Sequence, residues 1–278
     1  MYGIQAKKHL WQNFLRNTKI IETIVGEESI DDTYVIEVWS GPGDLTAELY
    51  RRRPRGLIMI ELDDDMIPLL THRFLWESWY IYHRDALRVD VVCGEYSPPT
   101  SSHIEISRET IIRVPRYSVY GNIPYYITSP ILQHFLYDVS LAPEAAIFSM
   151  LKEVADRILA RDGRHSVLSL SCQLVAGIEK ICDIHPNNFV PAPKVWSTCL
   201  RFTLLWHDRA KAKKILWLVK LWFSQKRKKL LTNLSQNVQN KQNLILAFEE
   251  LWFSGTVRAE ELSIAEWYLL FEKLYGDS

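Results

Sequence analysis

The chain reads as an α/β protein, a largely parallel sheet with helices on both faces, followed by a small all-helical C-terminal domain. Three observations predict it. Short apolar runs alternate with amphipathic stretches through the first half. A glycine bend, Gly41-Pro42-Gly43, follows the first strong strand and opens a helix. Beyond about Trp206 the texture changes to Lys, Leu, Trp, Gln and Glu at helical spacing, with no further strand candidate. The domain boundary is therefore expected between 1–206 and 207–278.

Taken in order, residues 34–38 predict a strand, 45–52 a helix, 57–62 a strand and 66–74 a helix, the rhythm of βαβ units. Strands follow over 79–82, 118–121 and 145–151, with a helix over 130–137 between the last two. Residues 94–108, which include Pro98-Pro99-Thr100-Ser101-Ser102, are polar and turn-rich and predict a surface insertion. Residues 152–160 are amphipathic at helical spacing, whereas 178–184 and 198–205 alternate as strands around a proline-rich loop and would extend the sheet in antiparallel fashion. No internal repeat is present.

Composition sets bounds. The chain of 278 residues is 47% hydrophobic, enough for a substantial core. Lys plus Arg and Asp plus Glu both number 33, so any nucleic-acid contact must use local basic patches rather than a global field. The cysteines Cys93, Cys172, Cys182 and Cys199 form neither a CxxC pair nor a zinc spacing. They are expected as small buried hydrophobes in a reducing compartment, with no metal bound. No signal-peptide core follows the charged first residues, and no run nears the roughly 18 apolar residues of a membrane span. A cytosolic protein is expected.

The segment Asn122-Ile123-Pro124-Tyr125 carries the most chemistry. An Asn amide oxygen and a backbone carbonyl in a proline-stiffened turn can both accept hydrogen bonds from one exocyclic amine, while the Tyr ring offers a stacking face. Upstream, Glu61 lies 18 residues after Gly43 at the end of the second strand and is followed by Asp63, where a carboxylate can accept ribose hydroxyls. Asp85 ends a third strand at the same edge and could meet an adenine amine. Gln12-Asn13-Phe14-Leu15 can be read as a helix cap with a hydrophobic staple. Phe189, in a Pro-rich turn, could supply a second ring on the opposite face of an extruded base. Lys226, Arg227, Lys228 and Lys229 form a basic run suited to phosphate contacts.

In this order the segments resemble the ribosomal RNA adenine dimethyltransferase family of the KsgA type, whose relatives include the Erm methyltransferases. The resemblance runs from Lys7-Lys8 through Lys152-Glu153 and residues 189–195 to Arg258-Ala259-Glu260-Glu261-Leu262-Ser263. It implies a Rossmann-like S-adenosylmethionine-dependent methyltransferase domain and a helical domain that helps hold RNA. The implied reaction is N6-dimethylation of two adjacent adenosines near the 3′ end of small-subunit rRNA, on a pre-30S particle, by a monomer. By matching positions, Gln12, Asn13, Leu15, Gly41, Glu61, Asp85 and Asn122 would line the cofactor. Asn122, Pro124, Tyr125 and Phe189 would form the target pocket.

The pattern breaks at several places. Trp11 and Trp39-Ser40 stand where the family has Gly and Gly-Pro, and Arg84, Leu151 and Trp196 are further departures. A positive φ at residue 39 would cost roughly 1 to 2 kcal/mol with a side chain present. Two alternatives follow from the resemblance. One is an RNA-binding or ribosome-assembly factor whose cofactor pocket is impaired by Trp11 and Trp39; the other is an Erm-like large-subunit methyltransferase.

Overall fold

The structure, a computed structural model, describes residues 7, 12–74, 79–96, 104–105, 110–161, 163–205, 208–223, 229–231 and 241–276. The chain divides into two compact units, Met1–Ala155 with Gly177–Leu204 and Asp156–Ala176 with Leu205–Ser278. A single boundary at residue 206 is expected from sequence. The structure instead assigns the excursion Asp156–Ala176 to the second unit as well, because its helix buries Leu170 and Cys172 and packs on the first C-terminal helix.

The first unit opens with β1 (Phe14–Leu15) and α1 (Thr18–Gly26), whose N-cap is Asn17: its side chain accepts the Ile20 N–H at 3.3 Å. The predicted alternation follows as β2 (Tyr34–Val38), α2 (Asp44–Arg51), β3 (Gly56–Glu61), α3 (Met66–Arg73) and β4 (Trp79–His83). Next come β5 (Val89–Cys93), β6 (Ile104–Glu105), β7 (Thr110–Val114) and β8 (Tyr117–Asn122). After β8 runs α4 (Thr128–Gln133), which admits Pro130 in its first turn, where an N–H has no intrahelical acceptor. Its continuation His134–Asp138 widens into a π-helical turn. Then β9 (Ala145–Leu151) leads into α5 (Lys152–Ile158) and α6 (Val167–Gln173), β10 (Ala176–Ile184) and β12 (Ser197–Leu204) complete the sheet, and β11 (Phe189–Val190) between them pairs with β1 instead.

Eight strands form one sheet in the order β10-β12-β9-β8-β2-β3-β4-β6. From β9 to β6 each neighbouring pair is parallel, and β12 runs antiparallel to β9. Strands β2 and β3 are near-continuous apolar runs, and β8 is buried at every position but Asn122, as expected of parallel strands covered on both faces. The insertion is less superficial than its composition implies. Ile104–Glu105 adds a parallel edge strand to β4, and the Tyr96 ring packs 5.3 Å from both Tyr34 and Tyr80. Strands β5 and β7, which short apolar runs alone do not announce, form a separate parallel pair.

In the second unit α6 is joined by α7 (Arg209–Phe223), α8 (Lys241–Glu250) and α9 (Ile264–Tyr275). A capping box between Ser263 and Glu266 starts α9. Trp222 and Trp267 stack at 4.5 Å in its core, and the Tyr268 hydroxyl donates to the Leu174 carbonyl at 3.2 Å. No helix among the described residues is long and apolar enough to cross a membrane. Of the cysteines, Cys172 and Cys199 are buried as expected, but Cys93 ends edge strand β5 and is exposed, and Cys182 is half-buried.

Candidate active site

Strand β2 pairs parallel with β3 on one side and β8 on the other, so the strand order reverses across it and leaves a crevice at the carboxyl ends of the strands. Three segments meet there: the glycine bend after β2, Glu61 at the end of β3 and Asn122 at the end of β8. Gly41 has φ +54, and a Cβ there would lie 3.0 Å from the Phe14 ring. Only glycine fits that approach. Gly43, at φ +84, starts α2 in the same way.

Glu61 holds the bend. Its carboxylate is 2% exposed and accepts the Gly41, Leu62 and Asp63 amides, each at 2.8 Å. Burial raises its pKa, while the three backbone donors oppose that rise. Beneath the bend, Glu37 accepts the Thr46 hydroxyl at 2.6 Å, and burial pushes its carboxyl up to about 7. Arg73 donates to the Pro42 carbonyl at 2.6 Å, tying the bend to α3.

On the facing wall the Asn122 Nδ2 donates to the Asn13 carbonyl at 2.7 Å. That bond fixes the amide so that Oδ1 remains an acceptor. The Pro124 carbonyl accepts the Ile127 N–H at 3.1 Å, which turns it into the short helical turn Tyr125–Ile127. Among the described residues no hydrogen bond engages the Ile123 carbonyl. The Pro124 carbonyl keeps a second lone pair, so the tetrapeptide offers two backbone acceptors, those of Ile123 and Pro124. The Tyr125 hydroxyl is 2.7 Å from the Ser197 Oγ, and burial raises its pKa, so it is held as a neutral, oriented ring.

These groups line one cleft of about 570 Å³, bordered by Gln12, Asn13, Phe14, Trp39, Gly41, Glu61, Asn122, Ile123, Pro124, Tyr125 and Tyr126. A second cavity of about 450 Å³ lies beside it, and Phe14, Trp39 and Asn122 border both. Trp39 has φ +56, the strained condition set out above. Trp11 lies outside the described residues. The other departures are elsewhere: the exposed Trp196 packs edge-on against His185 at 4.8 Å, Leu151 pairs with Ser197, and none of Arg84, Leu151 and Trp196 borders the cleft.

Not every expected residue reaches the cleft. Phe189 is 2% exposed in the core with Leu15, Ile184 and Cys199. The reason is register: β1 and β11 pair antiparallel with Leu15 opposite Phe189, so both point inward and Phe14 takes the outward face. Phe14 supplies the aromatic wall in place of Phe189, a swap that strand alternation could have signalled. Leu15 borders only the second cavity. Asp85 sits two residues beyond β4, where it caps a short turn by accepting the Leu87 N–H at 3.0 Å, and does not border the cleft. Gln12 donates to Asp63 at 2.6 Å, and Lys7 clamps Asp63 and Asp65. Lys226, Arg227 and Lys228 lie outside the described residues, and Lys229 is exposed.

A family model described as ribosomal RNA adenine dimethylase matches residues 3–275. The chain belongs to that family. It is an S-adenosylmethionine-dependent methyltransferase, as that dimethylase family is. It is 31% identical over 274 residues to ribosomal RNA small subunit methyltransferase A of Mycoplasmopsis pulmonis, covering 98% of this chain and 100% of that one. The Bacillus licheniformis protein of the same name is 30% identical, with 98% and 92% covered. In fold, a dimethyladenosine transferase from Plasmodium falciparum matches with a TM-score of 0.74 at 22% identity over 93% of this chain and 96% of that one. The 23S rRNA methyltransferase ErmE matches at 0.70 and 23% identity, over 94% and 99%.

The cleft suits the dimethylase cofactor. The Gly41 cradle admits close approach, and Glu61 keeps one of its roughly four acceptor positions after three amide bonds.

Proposed function

We propose that this protein transfers methyl groups to N6 of two adjacent adenosines near the 3′ end of small-subunit rRNA, acting as a cytoplasmic monomer on a pre-30S particle. The observation that carries it is the Asn122 amide, pinned by the Asn13 carbonyl at 2.7 Å in the same cleft as the Gly41 bend. Asn13, Gly41 and Glu61 would hold S-adenosylmethionine, which would supply an electrophilic sulfonium methyl when bound. Asn122 Oδ1 and the Ile123 or Pro124 carbonyl accept the two amine hydrogens, drawing the nitrogen toward a pyramidal, more nucleophilic shape. Tyr125, fixed through Ser197, and Phe14 provide ring faces that orient the base. The reaction needs positioning more than a base: the amine would take the methyl as its bond to sulfur breaks, leaving a neutral thioether, and the nitrogen would then release a proton to solvent.

Incubation with labelled S-adenosylmethionine and separated ribosomal subunits tests this reading. Dimethyladenosine label is expected in small-subunit RNA. Label confined to large-subunit RNA would replace the reading with the Erm-like one.

Trp39 modulates the site. A Trp39→Gly variant relieves a positive-φ side chain, which should raise stability by about 1 to 2 kcal/mol, and, as a separate effect on binding, removes an indole that borders both cavities. Calorimetric titration with S-adenosylmethionine should show about tenfold tighter binding, the equivalent of about 1.4 kcal/mol. Weaker binding would instead make the indole a wall on which the cofactor rests.

A further inference from the structure

The geometry points to a shelf for the nucleotide next to the target adenosine: the Trp196 indole stacks that base while Lys194 meets a neighbouring phosphate. Trp196 is 47% exposed, although it immediately precedes the buried Ser197. The Ser197 Oγ is the group that meets the Tyr125 hydroxyl, so the segment that carries the indole also holds a ring of the cleft. Register places both at one edge of the sheet. Strand β12 starts opposite the end of β9, with Ser197 against Leu151, and Asn122 at the end of β8 lies opposite Ser149 of β9. Two strand spacings, roughly 10 Å, therefore separate Asn122 from Ser197 across the sheet. The base beside an extruded adenosine reaches across such a gap.

The indole is held in place without being covered. The Lys152 N–H donates to the Trp196 carbonyl at 2.9 Å and the ring packs edge-on against His185, yet about half of its surface stays open. Two residues earlier, Lys194 is exposed and takes part in no ion pair among the described residues. Asp183, two residues before His185, is already matched: Lys180 lies at 3.1 Å, Lys152 at 3.7 Å, and the Thr198 hydroxyl donates to it at 2.6 Å. A fixed, open ring beside an uncommitted cation is complementary to a single strand, whose bases stack and whose phosphates are anionic. Stacking accepts any base, so the shelf positions the strand without reading the flanking nucleotide. Trp196 is also one of the departures from the family pattern, so the shelf belongs to this chain rather than to the fold. This inference rests on the proposed entry of an adenosine into the cleft, but its test involves no methyl transfer.

The experiment is fluorescence anisotropy of the full-length protein with two labelled RNAs of about ten nucleotides, within the usual single-strand site size. One carries a central adenosine among uridines; in the other both nucleotides flanking that adenosine are abasic. Trp196→Ala should weaken binding of the intact strand about tenfold and change binding of the abasic strand by less than about twofold, because only the first has a base to stack. Trp196→Phe, which keeps a ring, should stay within about threefold on the intact strand. Lys194→Gln should flatten the slope of log affinity against log salt by about 0.7, one single-strand phosphate contact. Both side chains are exposed, so parental melting temperatures are expected and show that the variants fold. Equal losses on the two strands would make the indole a support for the turn alone and overturn the proposal, as would parental affinity in Trp196→Ala or an unchanged salt slope in Lys194→Gln. A failed methylation assay with the base-dependent loss intact would count only against the catalytic reading; active methylation without that loss would count only against the shelf.

Discussion

An Asn122→Ala variant is expected to lose about 10²- to 10³-fold in kcat, the range seen when one preorganised polar group is removed from a reacting centre. Asn122 contributes at both ends of its amide. Nδ2 spends itself on the Asn13 carbonyl, and that bond aims Oδ1 into the cleft. Truncation removes the acceptor and the device that orients it. The stability cost is smaller, on the order of 1 kcal/mol for one lost hydrogen bond. Because Asn122 also pins Asn13 on the cofactor side, S-adenosylmethionine affinity should fall as well, but less than kcat, by about tenfold or about 1.4 kcal/mol. Asn122→Asp separates the two roles. It keeps an acceptor but sets a carboxylate oxygen against the Asn13 carbonyl, so it should also lose most activity. Single-turnover methyl transfer with saturating cofactor measures both variants, and parental rates in Asn122→Ala would remove this residue from the chemistry.

Glu61→Ala should act on the other wall and through stability. Three backbone amides, those of Gly41, Leu62 and Asp63, would lose their acceptor in a buried place. Each unsatisfied donor costs about 1 to 3 kcal/mol, partly offset because a buried charge is removed with it. A net destabilisation of about 3 kcal/mol is expected from those opposing terms. The bend would lose its anchor, and cofactor affinity should fall by about 100-fold or more, about 2.7 kcal/mol. Urea unfolding and calorimetric titration give the two values. Full cofactor affinity with reduced stability would mean that Glu61 supports the strand end alone.

Much of this architecture was legible in the residues. The βαβ rhythm placed β2, α2, β3 and α3 nearly to the residue, because fully buried parallel strands are apolar runs bounded by turns and their helices carry a separate period. Gly41, Glu61 and Asn122 could be picked out because each is an unusual residue type at a strand end. The errors share a cause. Phe189 and Phe14 are both aromatic and both near the site, and only the pairing of β1 with β11 decides which ring turns outward. The excursion 156–176 joins the second unit through contacts far apart in sequence.

The amino-acid order by itself determined the fold class, the position of the glycine bend and the identity of the amide that faces the cleft, since those depend on local periodicity, backbone conformation and side-chain chemistry. Tertiary structure alone decided which neighbour of each such residue shares the cleft, that Trp39 carries a positive φ, and that Trp196 stands at the sheet edge that carries the cleft. Those outcomes rest on register and on contacts between distant segments, and neither has a signature in a window of adjacent residues.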